Sequence, residues 1–217
     1  MRASSGPGVP SHQQLLETLE RWRRFPGMER MEPGEGRFAL TFDDGPDPDA
    51  TPAVLDALDE AGAKATFFLV GEQVQDHREL ALEVAQRGHT VGVHGWRHVE
   101  HDELADPEGD LSGVLAVVGA ASPLARPPYG RFSEASYAIC LGLGLRPVYW
   151  SGWGCDWEPI PAQRIAELVI RDLAPGAIVL LHDSARYAYR DSALATAEAL
   201  PAVLDAARER GLEPVAL

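Results

Sequence analysis

Cysteine is almost missing: Cys140 and Cys155 are the only two in 217 residues, too few for a disulfide framework. No apolar run approaches the roughly 20 residues of a membrane span, and no internal repeat is visible. Positive charge is scarce as well, with 19 Lys and Arg against 33 Asp and Glu and a net charge of −14. The field of such a protein repels nucleic acid and anionic membrane surfaces, so neither is an expected partner. Met1 to Pro10 lacks the apolar core of a secretory signal. The expectation is a cytoplasmic protein, or a cell-envelope or secreted one if a leader precedes this sequence.

What is present suits one α/β domain, since 45% of the residues are hydrophobic and the length allows a full core. Ser11 to Arg24 reads as an amphipathic helix, with Ser11 and Gln14 at capping-box spacing and Leu15, Leu19 and Trp22 on one stripe. Its basic end, Arg21, Arg23 and Arg24, suits a helix packed across the domain, or alternatively one lying on a membrane surface. Met28 to Gly36 reads as a linker. The chain therefore divides into an N-terminal tail and helix, residues 1–36, and a main domain, residues 37–217.

From Arg37 onward, short apolar runs alternate with helical periodicity. The expected strands are Arg37 to Phe42, Ala65 to Val70, Thr90 to Val93, Leu124 to Arg126, Arg146 to Trp150, Ala177 to Leu181 and Glu213 to Ala216. The expected helices are Pro52 to Ala61, Glu79 to Arg87, Leu111 to Ala120, Ser133 to Leu143, Pro161 to Leu173 and Ala193 to Arg210. Parallel strands joined by helices close into a barrel or form an open doubly wound sheet, and in both the site lies at the carboxyl ends of the strands. Unusual polar residues stand at just those places: Asp43 and Asp44, His94, Arg126, Asp156 and His182.

Asp43 and Asp44 end the first strand before Gly45-Pro46 breaks it. On a regular strand they would point to opposite faces, so both can serve one site only where the pleat ends. His94 and His98, at i and i+4, complete a two-His, one-carboxylate set with Asp44 that suits one divalent transition metal, zinc first, with cobalt, nickel or manganese as alternatives. A metal that lowers the pKa of a water to about 7 leaves Asp43 to take the proton as general base. Arg126 is placed to orient that base, and Asp156 could hold the arginine through a bidentate pair. His182, after a buried strand, suits protonation of a leaving amine. His101 is expected to be exposed, and His89, ahead of its strand, to sit at the opposite end. Trp96, Trp150, Trp153 and Trp157 all fall in strand-end segments, where indole faces suit sugar rings, although Trp150 reads as core.

Taken together, Thr41-Phe42-Asp43-Asp44-Gly45-Pro46, His94 to His98, Arg126-Pro127-Pro128-Tyr129-Gly130, Asp156-Trp157 and Leu180-Leu181-His182 resemble the five motifs of the NodB-homology polysaccharide deacetylases, carbohydrate esterase family 4. The resemblance implies a distorted (β/α) barrel of about seven parallel strands. It also implies a metal-dependent hydrolase that removes N-acetyl, or sometimes O-acetyl, groups from N-acetylglucosamine-containing oligo- or polysaccharides. By the same motifs Asp43 is the base, Asp44, His94 and His98 the ligands, and His182 the acid, with Arg126 and Asp156 orienting the base. The Tyr129 backbone N–H would help bind the oxyanion, and Trp157 and Leu180 would line the acetyl pocket.

Three features depart from the pattern. Gly95 stands where the family usually has Ser or Thr, Trp153 takes the place of a frequent Asp, and the stretch from His98 to Arg126 is short. The alternatives are a deformylase or small-molecule amidase of the same fold, and a catalytically silent carbohydrate-binding protein.

Overall fold

The computed structural model describes residues 10, 11, 13, 14, 17, 18, 20, 23–32, 36–118 and 122–217. The expected Leu15, Leu19 and Trp22 stripe and the Gly119-Ala120 end of the expected helix Leu111 to Ala120 lie outside them. Ser11 and Gln14 do exchange the two bonds of a capping box, Ser11 N–H donating to Gln14 Oε1 at 2.8 Å and Gln14 N–H to Ser11 Oγ at 3.2 Å.

Strand β1 (Arg37–Asp43) is buried at every residue after Arg37 and forms the axis of the sheet. The other strands are β2 (Thr66–Leu69), β3 (Thr90–Val93), β4 (Leu124–Ala125), β5 (Arg146–Pro147), β6 (Gly152–Trp153), β7 (Ile178–His182) and β8 (Glu213–Pro214). Seven of them lie in the order β5-β4-β3-β2-β1-β7-β6, and β8 pairs with the start of β1. All the strand pairings are parallel. The near-continuous apolar runs of β1, β2 and β7 reflect burial on both faces, as a parallel sheet under helices requires. The expected distorted (β/α) barrel is the fold observed.

The α-helices bounded among the described residues from Arg37 onward are α1 (Ala50–Glu60), α2 (Gly71–Asp76), α3 (Arg78–Gln86), α4 (Pro107–Val118), α5 (Glu134–Gly142), α6 (Ala162–Asp172) and α7 (Leu194–Glu209), which flank the sheet. Helix α6 shows the apolar stripe most clearly, burying Ile165, Ala166, Leu168 and Val169. Helix α5 starts on a capping box between Ser133 and Ser136, and Asp106 Oδ1 accepts the Gly109 N–H in the first turn of α4.

Two expectations about strands change. The run Arg146 to Trp150 is a strand only over Arg146–Pro147, and Gly152–Trp153 forms a further strand, β6, on the far side of β7. The chain thus crosses from one edge of the sheet to the other between them. Residues Met28 to Arg30, read as linker, span that opening: Met28 bridges Val148 in parallel and Arg30 bridges Ala177 antiparallel. Met28 N–H donates to Pro147 O at 2.9 Å and Tyr149 N–H to Met28 O at 2.8 Å.

Candidate active site

Strand pairing sets Asp43 directly beside His182, since the β1–β7 register makes their Cα atoms partners. Asp44 follows in the left-handed region, φ +80°, which Asp tolerates better than most residues. That turn is what lets two consecutive carboxylates face one mouth. Both are buried, at 3% exposure each.

His94 directly follows β3, its N–H donating to Leu69 O at 3.1 Å. Its Nδ1 lies 2.8 Å from the carbonyl oxygen of Arg126, a contact that fixes Nδ1 as the donor and leaves the Nε2 lone pair free. Nε2 of His94 lies 3.3 Å from Asp44 Oδ1, and Nε2 of His98 lies 3.2 Å from the same oxygen. The three ligand atoms fall within 4.8 Å of one another. Three lone-pair carriers converging in a buried space repel unless a cation or a proton sits among them, so the donor set fits a metal ion. Burial lowers the pKa of His94, but the charges of Asp43 and Asp44 outweigh it and raise the value overall. Burial likewise pushes Asp44 up, yet His98 and His94 hold it well below the usual carboxylate range. A proton on His94 and a metal ion would therefore compete for one place.

Arg126 is buried at 1% exposure and donates from Nη1 to Asp43 Oδ1 at 2.7 Å and to Thr41 Oγ1 at 2.8 Å. Its Nη2 donates to Tyr149 O at 2.9 Å, and the guanidinium lies over the rings of Phe68 and Trp150, 4.3 and 5.4 Å from their centroids. Asp43 thus has one oxygen fixed by a cation while Oδ2 stays 3.9 Å from His94 Nε2, facing the ligand cluster.

Asp156 is placed differently from the expectation. It holds no bond to Arg126. Its Oδ1 lies 2.8 Å from His182 Nδ1, and its Oδ2 accepts from the His182 N–H at 2.8 Å, Thr196 Oγ1 at 2.7 Å and Arg190 Nη2 at 3.4 Å. The reason is strand order: Asp156 follows β6, the neighbour of β7, whereas Arg126 follows β4, which three other strands separate from β7. Asp156 therefore fixes the ring of His182, while Asp43 is held by Arg126, whose Nη1 is itself seated on Thr41. Burial lowers the His182 pKa, but Asp156, with Asp44 and Asp43, carries it up to about 9. Asp156 itself, pushed up by burial, is held down at about 2 by His182 and Arg190.

The aromatic expectations divide. Trp157 meets His182 edge to face with centroids 5.8 Å apart, and Leu180 lies two residues before His182 on the same face of β7. Trp153 is buried, edge to face with Trp150 at 6.0 Å, and belongs to the core. Trp96 packs against the backbones of Gly71 and Gly113 and so seats its loop on α2 and α4. His101 is buried at 2% exposure with Nδ1 on Ser136 Oγ, so the expected exposed position is wrong; the short 3₁₀ turn His101–Glu103 tucks it under α5. His89 is buried, and its Nδ1 accepts the Ala65 N–H at 3.2 Å.

Sequence reasoning overlooked Tyr187, stacked on His98 at 4.3 Å and 10°. Opposite it, Tyr129 meets the same ring edge to face at 4.6 Å. The position of Tyr187 five residues beyond a strand-end histidine was the available signal. Arg190 and Thr196 gave none, because their partner is fixed only by the fold.

Residues 30–148 match the family described as polysaccharide deacetylase. A peptidoglycan-N-acetylglucosamine deacetylase from Bacillus cereus is 33% identical over 156 residues, covering 69% of this chain and 57% of that protein. This chain therefore spans little more than half of that relative. A chitooligosaccharide deacetylase from a Bradyrhizobium species is 37% identical over 151 residues, 66% of this chain and 69% of that protein. Among solved structures, a peptidoglycan N-acetylglucosamine deacetylase superposes with a TM-score of 0.80 at 27% identity, covering 87% of this chain and 89% of that one.

Proposed function

Because the chain belongs to the polysaccharide deacetylase family, we propose that it is a metal-dependent hydrolase removing N-acetyl groups from N-acetylglucosamine units of an oligo- or polysaccharide. The observation that carries this reading is the pair of opposed proton carriers, Asp43–Arg126 and His182–Asp156, set on adjacent strands beside the Asp44, His94 and His98 cluster. Amide hydrolysis needs a base for water and an acid for the leaving nitrogen, and this site has one of each.

A divalent transition metal held by Asp44, His94 and His98, zinc by first choice, would polarise the acyl oxygen and lower the pKa of the attacking water. Asp43 takes the water's proton on Oδ2, the oxygen that Arg126 does not occupy. His182, with Nδ1 committed to Asp156, gives its Nε2 proton to the departing amine. The Tyr129 backbone N–H contributes to the oxyanion site, and Leu180 and Trp157 bound the space for the acetyl methyl. The substrates named for the relatives, peptidoglycan and chitooligosaccharide, share the N-acetylglucosamine unit. The test is acetate release from chitooligosaccharides against formate release from formylated amines. Turnover of the formyl substrates alone would refute the reading.

A further inference from the structure

We propose that Asp110, on α4, is a positioning residue for the metal centre: it holds the backbone of the loop Gly95 to Arg97 and so fixes where His98 presents its Nε2. The inference rests on the reading of Asp44, His94 and His98 as ligands.

The loop joins the two imidazole ligands, so its backbone sets their separation. One side of it is bound by the start of α2, where Gly71 N–H donates to Gly95 O and Glu72 N–H to Trp96 O, both at 3.0 Å. On the other side Arg97 N–H donates to Asp110 Oδ1 at 3.2 Å. Gly95 itself has φ +87°, and a Cβ added there would lie 2.8 Å from Asp110 Oδ2. The carboxylate therefore fills the volume that a side chain at position 95 would need. One turn along α4, Gly113 leaves room for the Trp96 ring, which a Cβ would approach to 2.7 Å. Asp110 and Gly113, at i and i+3, thus form one helix face shaped to this loop.

Asp110 is 6% exposed, and its Oδ2 has no hydrogen-bond partner among the described residues. An acid in the first turn of a helix is common for reasons of the helix dipole. A surface acid would serve the dipole as well. This one is buried, with an idle oxygen whose desolvation costs stability, and it spends its bonded oxygen on the segment between two ligands. Partners of this kind, one step removed from the metal, typically change affinity 10- to 100-fold.

The test uses cobalt(II), whose visible absorption reports both affinity and ligand geometry, added to the full chain freed of metal. Asp110→Ala should weaken cobalt binding about tenfold or more and alter the band shape, with far-UV circular dichroism unchanged. Asp110→Asn keeps an oxygen acceptor and should stay within about threefold of wild type. Asp110→Leu keeps much of the volume but removes the acceptor and should weaken binding as Asp110→Ala does, which decides the matter if the latter does not fold. Wild-type affinity and spectrum in Asp110→Ala or Asp110→Leu would overturn the positioning role alone. Failure of the wild-type protein to bind cobalt would overturn the ligand reading beneath it.

Discussion

Replacing Asp156 by Asn is the sharpest perturbation of the site, because it keeps the shape and removes the charge that supports His182, the proposed acid. Burial alone would depress the His182 pKa, yet Asp156, followed by Asp44 and Asp43, brings it to about 9. The rise from an ordinary imidazole value near 6.5 corresponds to about 3 kcal/mol at 1.36 kcal/mol per pH unit. Because the folded value is raised, this stabilisation is present in full below about pH 6.5 and is lost as pH climbs through about 9. Arg190 faces the same carboxylate and works against the rise.

In the variant the amide NH2 must face a donor that no longer finds an acceptor, since Asp156 receives the His182 N–H, Thr196 Oγ1 and Arg190 Nη2 on one oxygen and His182 Nδ1 on the other. An unmatched buried donor costs about 1–3 kcal/mol. The assay is the pH dependence of kcat/KM for acetate release. The alkaline limb, near pH 9 in the wild type, should move down by at least about one pH unit, with kcat reduced on the order of 10² at pH 8. An alkaline limb that stays in place would mean that His182 is not the group being titrated, and the assignment of acid and partner would fall.

Other outcomes follow from the same geometry. Asp43→Asn should retain the metal and lose turnover, whereas His98→Ala should lose the metal; equal metal content by elemental analysis in both would refute the division of roles. Arg126→Ala leaves the Asp43 carboxylate buried without its cation and should lower urea stability by about 3–5 kcal/mol as well as activity. Asp183, fully buried with its Oδ2 on Thr51 Oγ1, has its pKa pushed up to about 7, chiefly by burial. A raised value contributes stability below about pH 4 that is lost as pH rises through 7, so Asp183→Asn should be the more stable protein at pH 8, by a few kcal/mol on the order given by 1.36 kcal/mol per pH unit. Urea titrations of both proteins at pH 5 and pH 8 measure this, and a variant less stable at pH 8 would contradict it.

The strand ends were legible because hydrophobic runs stop abruptly at chemistry-bearing residues, as at Phe42-Asp43 and Val93-His94. Pairing among those ends was not legible, since it depends on which strands are neighbours. Sequence order alone pairs Asp156 with Arg126, whereas the fold pairs it with His182, and the difference traces to β6, a strand of two residues including a glycine that no periodicity can reveal. Burial misled in the same way: Trp96 and Trp153 stand at strand ends in sequence, but helix packing and the barrel interior claim them. The ligand triad needed no such knowledge, because His94 and His98 share one loop and Asp44 ends the central strand.

The short segment at Met28 to Arg30 carries a consequence for how the molecule is assembled. Its partners are Pro147, Val148, Tyr149 and Ala177, more than a hundred residues later in the chain. It is made early in synthesis and has nowhere to bind until β5 and β7 exist, and contacts of such long sequence separation form slowly. Until then the sheet has two open edges, a template for pairing with other chains. A variant shortened to begin at Arg37 would keep every catalytic group and leave that opening permanently unfilled.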